Sequence, residues 1–297
     1  MERPRISIIL VNYNDRIHLP DCLASLERIV AALPAEVILV DNHSEDGSPE
    51  AAESFRWVKL IRNEKNVGYA RANNIGIETA RGDFLLFLNT DTVIPENSLP
   101  ALLAELEARP EAGAIGPALV RDNSRPQVSF GREVNFVSEL WQKLFRNPYF
   151  RIVLRFGVRT REVGWLSGAC LLARRQAVEN AGRFDENFFL YFEDIDLCKR
   201  LTEKGYRIVF FPGIRVIHVG GASTSQGKWR CRLEYRKSQV YYYRKHNSEL
   251  SLRLLKAFLR LNFGWRRLRS RTPEEKSALR ELELWIRREA KARKIDG

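Results

Sequence analysis

The chain alternates short, largely apolar runs with amphipathic stretches. Residues 6–11 (ISIILV) are an apolar run broken only by Ser7, the pattern of a strand buried on both faces of a parallel sheet. Residues 19–32 then place Leu19, Leu23, Leu26 and Val30 at helical spacing. The two patterns keep taking turns. They predict strands over 36–41, 57–61, 83–88 and 114–120, and helices over 48–55, 69–80 and 99–107. Arg81-Gly82 and Arg109-Pro110 supply stop signals for the last two helices. Strands joined by helices imply right-handed crossovers and a mostly parallel sheet. The pattern weakens over 121–162, which reads as a variable connection over the sheet edge. It returns with an apolar stretch at 166–173, helices at 175–181 and 195–204, and two short strands at 207–211 and 215–218. The expected class is α/β, a Rossmann-like sheet flanked by helices.

In such a sheet, ligands bind beyond the carboxyl ends of the strands. The residues there are Asn12-Tyr13-Asn14, Asp41-Asn42 and Asn89-Thr90-Asp91, all polar ends on apolar strands. The run after Asp41, ending in Asp46-Gly47-Ser48, suits a turn and helix cap, while Asp41 itself sits where a nucleoside could be read. Asn66, Gly68, Asn73 and Asn74 make an amide-rich helix start. Asn is a poor helix former, so these side chains either bridge internally or face a ligand. A carboxylate at a strand exit, such as Asp91, can hold a divalent cation on a diphosphate or simply open the turn toward Pro95. Glu193-Asp194-Ile195-Asp196 opens a helix after Phe188, Phe189, Tyr191 and Phe192. Acids there stabilise the helix dipole. In a semi-apolar pocket such a carboxylate can also be tuned as a base. His218 ends a strand before Gly220-Gly221, as a structural histidine or a metal ligand. The chain has no G-x-G-x-x-G fingerprint, and Gly221 to Lys228 lacks P-loop spacing.

Charge divides the chain. Residues 228–297 hold 21 Lys and Arg against 8 Asp and Glu, while residues 1–227 hold 28 against 29. A near-neutral globular body over 1–227 therefore carries a basic helical extension over 228–297. That balance excludes a wholly basic nucleic-acid binder, and the 44% hydrophobic content excludes disorder of the whole. Between residues 250 and 268, Leu, Phe and Trp alternate with Arg and Lys. This suits a helix lying on an anionic membrane or one packed on the body with a solvated basic face. Cys22, Cys170, Cys198 and Cys231 lie far apart with no C-x-x-C, as suits a reducing cytosol. The N-terminal apolar run is too short for a signal-peptide core, and no apolar run approaches the roughly 18 residues of a spanning helix.

Taken in order, these pieces resemble the family 2 glycosyltransferases of the GT-A fold, and within them the bacterial rhamnosyltransferase-type members. The likeness rests on Val11-Asn12-Tyr13-Asn14, Val40-Asp41-Asn42 with Ser44, Asp46, Gly47 and Ser48, Asn66-Val67-Gly68-Tyr69-Ala70 with Ala72, Asn73, Asn74 and Gly76, and Leu88-Asn89-Thr90-Asp91. It continues through Trp165-Leu166-Ser167-Gly168-Ala169, Phe184-Asp185-Glu186, Glu193-Asp194-Ile195-Asp196, and His218 with Gly220-Gly221. It spans roughly residues 5–225. Each motif alone is weak; the ordered set is specific.

The resemblance implies an inverting transfer from a nucleotide sugar, dTDP-rhamnose or a UDP-sugar, to a glycan or lipid-linked acceptor. It implies Asp194 as catalytic base, and Asp91 with His218 on a divalent cation, Mn²⁺ or Mg²⁺. Asn12, Tyr13, Asn14, Asp41, Asn66, Gly68, Asn73, Asn74 and Asn89 would serve the nucleotide sugar, and Trp165, Gly168 and Glu193 the acceptor side. Asn89 departs from the Asp of many relatives and offers only a neutral oxygen. The expected setting is cytoplasmic, peripheral on the inner face of the plasma membrane and without nucleic acid. A nucleotidyltransferase would want a Gly-rich basic loop after the first strand, which 12–16 is not. A non-enzymatic basic-tail adaptor, for membrane or nucleic acid, would not need Asp41, Asp91 and Asp194 intact.

Overall fold

The computed structural model describes residues 3–139, 159–220, 228–269 and 272–292. Its first half follows the alternating pattern: β1 (Ile6–Asn12), α1 (Leu19–Ala32), β2 (Ala35–Asp41), α2 (Ser48–Glu53), β3 (Val58–Arg62), α3 (Tyr69–Thr79) and β4 (Phe84–Asn89). After β5 (Thr92–Val93) come α4 (Ser98–Glu107), β6 (Ala112–Val120), β7 (Phe130–Gly131), β8 (Arg161–Glu162), β9 (Trp165–Leu166) and β10 (Cys170–Arg174). The rest is α5 (Arg175–Asn180), α6 (Glu193–Glu203), β11 (Arg207–His218), α7 (Lys228–His246), α8 (Glu249–Arg269) and α9 (Pro273–Ala292).

The large sheet has the order β3-β2-β1-β4-β10-β6-β11-β5, with β8 on β11; β7 and β9 form a separate pair. Strands β1 to β4 run parallel, and so do β6 and β11, while β10 runs against both β4 and β6. Six of the nine strands thus point one way. The chain steps outward from β1 to β3 and returns on the other side of β1 at β4. This reversal makes a crevice at the carboxyl ends of β1, β2 and β4. The register aligns Asn12 with Asp41 and sets Asn89 beside Val11, so the three polar ends are neighbours.

Every residue of β1 is buried, because the sheet is covered on both faces. Ile6, Ile8 and Leu10 pack with α1 and α4, while Ile9 and Val11 pack with α3 and α6, as the two-residue period of a strand requires. The tail helices join the second layer. Tyr242 and Tyr243 of α7, Leu255, Leu259 and Phe263 of α8, and Leu282 and Ile286 of α9 are buried in the same cluster as α3 and α6. Fully burying side chains of this size stabilises by about 1.5–3 kcal/mol each. One face of the 250–268 segment is therefore a packing face. Among the described residues, no helix is long and apolar enough to cross a membrane.

Two expected elements differ in form. The strands at 207–211 and 215–218 are one bulged strand, β11, whose register on β6 shifts between Phe211 and Arg215. Pro212 has no N–H to give the ladder, and the bulge absorbs it. The apolar stretch at 166–173 is divided between β9 and β10 by a turn at Ser167-Gly168-Ala169. The connection over 121–162 contributes β7 and β8; its central part, 140–158, lies outside the described residues.

Candidate active site

Helix α6 begins at the acid run. Tyr191 and Phe192 before it adopt positive φ, 69° and 70°, which is costly for bulky residues. The packing of Phe188 and Phe192 in the core holds the turn. So do hydrogen bonds to it: Tyr69 N–H donates to the Phe189 carbonyl at 2.7 Å, and Ser238 Oγ donates to the Leu190 carbonyl at 2.8 Å. Gly68 is required here, since its φ is 88° and a Cβ would stand 2.7 Å from the Phe189 oxygen.

This turn delivers Asp194 to the β9–β10 turn. The Gly168 N–H donates to Asp194 Oδ2 and the Ile195 N–H to Oδ1, each at 2.8 Å. Burial pushes the Asp194 carboxyl above its ordinary value, and these amide hydrogen bonds offset that only in part. Glu193 is buried, and its Oε2 has no hydrogen-bond partner among the described residues. Burial, reinforced by the adjacent Asp194 charge, holds the Glu193 carboxyl well above its ordinary value. The third acid has a different task. Asp196 is fully buried and accepts from Arg200 (2.7 Å), His246 (2.7 Å) and Lys245 (2.8 Å), tying α7 to α6. Burial acts to raise its carboxyl, but the His246 hydrogen bond and the Arg200 and Lys245 cations hold it below the ordinary value.

The second half of the site lies at the exit of β4. The chain turns through Thr90 and Asp91 into β5, where Thr92 pairs with His218. Asp91 is buried, its Oδ1 3.2 Å from His218 Nε2 and its Oδ2 accepting from the Gly220 N–H at 3.2 Å. His218 Nδ1 is 2.8 Å from Gln127 Oε1. The Gln127 amide nitrogen donates to the His218 carbonyl, which fixes the amide orientation. An amide oxygen only accepts, so Nδ1 carries the hydrogen. The lone pair of a neutral ring at Nε2 would then face a carboxylate oxygen. That contact is favourable only with a proton on Nε2 or a cation between the two. Burial acts to raise the Asp91 carboxyl, but the hydrogen bond and charge of His218 hold it below its ordinary value.

Tyr69 joins the halves. Its hydroxyl reaches Asn89 Oδ1 at 3.0 Å and the Gly168 carbonyl at 3.4 Å. Burial, with Glu193 and Asp194 nearby, pushes the phenol up, so it stays a donor. Asn89 Nδ2 lies 3.4 Å from His218 Nε2. A continuous polar run therefore passes from Asp194 through Gly168, Tyr69 and Asn89 to His218 and Asp91.

The other candidate residues form two neighbouring groups. Asn12 is buried and donates toward Asp41 Oδ1 (2.7 Å), Ser44 Oγ (3.0 Å) and Ser48 Oγ (2.7 Å), while its own Oδ1 has no partner among the described residues. Asp41 also accepts the Ser44 N–H and hydroxyl, closing the 41–44 turn. Asn14, at φ 52°, accepts from the Glu45 N–H, and Tyr13 stands exposed beside it. In the second group, Asn42 Nδ2 donates to Asn66 Oδ1 and the Gly68 carbonyl, each at 3.1 Å. Asn74 pins α3 to Phe184 through both its amide groups, while Asn73 Nδ2 bonds the Tyr69 carbonyl and its buried Oδ1 has no described partner. Trp165, on β9, packs its indole on Gly131, and its buried Nε1 has no partner among the described residues.

Sequence reasoning named Tyr69 only as part of a motif and passed over Gln127. Tyr69 carried a signal, as the first residue of an amide-rich helix. Gln127 carried none, because it lies in the weakly patterned connection and meets His218 only through β6 and β11.

Known proteins share this fold and part of this sequence. The model of Glycosyl transferase family 2 matches residues 7–182. The N-acetylglucosaminyl-diphospho-decaprenol L-rhamnosyltransferase of Mycobacterium tuberculosis is 34% identical over 244 residues, covering 74% of this chain and 78% of that one. The rhamnosyltransferase WbbL of Escherichia coli is 26% identical over 160 residues, covering 51% of this chain and 60% of that one. Among solved structures, a mannosyltransferase from Pyrobaculum calidifontis in complex with GDP-Man and Mn²⁺ superposes with a TM-score of 0.58. It is 18% identical and covers 96% of this chain and 70% of that one. GalNAc-T7 with UDP, GalNAc and Mn²⁺ gives 0.59 at 18% identity, over 81% of this chain and 50% of that one. These two show the GT-A fold. The matched family model and the mycobacterial relative reach further than fold, and the chain belongs to the family 2 glycosyltransferases.

Proposed function

We propose that this glycosyltransferase moves a sugar, with rhamnose favoured, from dTDP-rhamnose or a UDP-sugar to a hydroxyl of a glycan or lipid-linked acceptor, with inversion, in cell-surface polysaccharide synthesis. The observation that carries the reading is the polar run from Asp194 to Asp91, which couples a raised-pKa carboxylate to an acid–histidine pair at the strand exits. The names of the mycobacterial and Escherichia coli relatives support rhamnose. The mycobacterial relative's name also supports a lipid-diphosphate acceptor. In this reading residues 1–227 carry the chemistry and residues 228–297 are an extension. The protein works as a peripheral protein on the inner face of the plasma membrane. Incubation with a panel of nucleotide sugars, reading nucleoside diphosphate release, tests the donor; no release with any dTDP- or UDP-sugar would sink the reading.

Asp194 would take the proton of the acceptor hydroxyl as that oxygen bonds to the anomeric carbon and the bond to the diphosphate breaks. A single displacement needs no covalent enzyme intermediate. Trp165, Gly168 and Glu193 would border the acceptor. Asn12, Tyr13, Asn14, Asp41, Asn66, Gly68, Asn73, Asn74 and Asn89 would serve the donor, with the orphaned oxygens of Asn12 and Asn73 left for it. Asp91 and His218 fit a divalent cation, because Nε2 and Oδ1 face one another as two electron-pair donors. Among the described residues no cluster of three His, Cys, Asp or Glu could hold one. The remaining ligands would therefore be diphosphate oxygens and water, as Mg²⁺ and Mn²⁺ sites on nucleotides commonly have it. When bound, the cation supplies charge for the departing diphosphate.

Two measurements follow. The base must be ionised to act, and its pKa is raised, so the acid limb of the kcat/KM profile should lie above the ordinary Asp value of about 3.9. Burial, not Glu193, leads that shift. Glu193→Gln should therefore leave the limb in place, and a limb that moves down with this substitution would transfer the shift to Glu193. Second, Gln127→Leu should weaken Mn²⁺ binding in the presence of nucleoside diphosphate by about tenfold, the usual cost of losing a metal ligand's outer partner. Gln127→Glu, which keeps an acceptor for Nδ1–H, should restore most of it. Calorimetry reads both, and unchanged affinity in the leucine variant would remove Gln127 from the site.

A further inference from the structure

We propose that α8 docks the protein on an anionic lipid bilayer through the face opposite its packed one. The buried face is Leu252, Leu255, Leu259 and Phe263. Leu250, Leu254, Leu261 and Trp265 instead point outward, 67%, 42%, 76% and 54% exposed. At 3.6 residues per turn these four fall within about 60° of one another around the axis. They form one stripe about four turns long, an unusual amount of large apolar surface to leave in line on a soluble face. Exposed Arg253 and Arg260 flank it on one side, and exposed Arg269 lies with its guanidinium 4.0 Å from the Trp265 ring centroid. Leu and Trp between arginines match a helix whose apolar stripe enters the headgroup boundary while the cations meet lipid phosphates. A protein partner would need no such cationic rim, and a second copy of this chain would set like charges against like charges. The occupant is therefore the anionic bilayer.

The stripe is also placed for use. Next to Trp265, Arg266 lies 5.8 Å from the Trp229 ring centroid at the start of α7. Tyr235 of α7 stacks edgewise on Tyr191 and Phe192, with ring centroids 5.6 and 5.2 Å apart, and those residues lead directly into Glu193 and Asp194. The docked end of α8 is thus joined through α7 to the turn that carries the base. Resting on the lipid-linked acceptor reading above, this would present Asp194 to a hydroxyl held at the membrane surface.

The test is co-sedimentation of the full chain with phosphatidylglycerol vesicles and with phosphatidylcholine vesicles. The protein should pellet with the anionic vesicles only, and less as salt rises through the range where the screening length falls below about 10 Å. The double variant Leu261→Ser, Trp265→Ser should lose at least about tenfold in vesicle affinity, with an unchanged melting temperature because both side chains are exposed. Equal pelleting of the double variant and the parent, or no pelleting of the parent, would overturn the proposal. So would a lipid-free parent that is dimeric by light scattering while the variant is monomeric, since the stripe would then be covered by a second copy. Nucleotide-sugar turnover is read in parallel on both proteins. If turnover fails in both while vesicle binding holds, the transfer reading falls and the docking face stands.

Discussion

Asp194→Asn should lower turnover roughly 10²–10⁴-fold, the usual worth of a general base, with donor affinity nearly kept. The size follows from what surrounds the group. The half-buried carboxylate is raised in pKa by its surroundings, and the Glu193 carboxyl beside it is held well above its ordinary value by burial and the Asp194 charge. The amide introduced by the substitution could accept one of the two backbone N–H groups that Asp194 now accepts. Its NH₂ would face the other, and leaving a buried donor unpaired costs about 1–3 kcal/mol. The variant should therefore also melt somewhat lower. A purely structural Asp194 would give that loss of melting temperature with activity per folded molecule intact. Steady-state rates corrected for folded fraction, beside donor binding by titration, separate the two. Near-normal turnover would remove Asp194 from the chemistry.

Most of the sheet was legible because β1 to β4 obey one rule each: apolar strands between covered faces, amphipathic helices between strands. Their polar ends followed from topology, and the register bears this out by setting Asn12 beside Asp41 and Asn89 beside Val11. What was not legible depends on contacts distant in sequence. Periodicity cannot announce that β10 inserts antiparallel between β4 and β6, since an apolar run has no direction. Nor can it say that Gln127 meets His218 across 91 residues, or that Asp196 is given over to His246 and Lys245 of the tail while Asp194, two residues earlier, faces Gly168. The acids of 193–196 look alike in sequence. Their surroundings assign them opposite pKa directions, and only the fold supplies the surroundings. The amide-rich start of α3 shows the same limit: Asn74 is consumed by Phe184, whereas Asn73 keeps an unpartnered oxygen.

Transfer should stop in EDTA and return with Mn²⁺ or Mg²⁺, and Asp91→Ala should cost on the order of 10²-fold or more in turnover, the scale of losing one preorganised charge partner of a leaving group. The reasoning starts from Asn89. In place of a second carboxylate the chain has an amide whose oxygen already accepts from Tyr69. Of residues 89–91 only Asp91 then carries a charge, and the hydrogen bond and charge of His218 hold its carboxyl below the ordinary value against burial. Removing it would leave His218 Nε2 and the Gly220 N–H without their carboxylate and remove the carboxylate proposed to hold the cation. His218→Ala should cost less, because Asp91 would remain to hold the cation. The ordering is the informative result. Mn²⁺ titration with nucleoside diphosphate present should show the affinity falling most in Asp91→Ala, less in His218→Ala and least in Gln127→Leu. Full activity in EDTA would reject a cation at this site, and an Asp91→Ala variant with unaltered Mn²⁺ affinity would place the cation elsewhere.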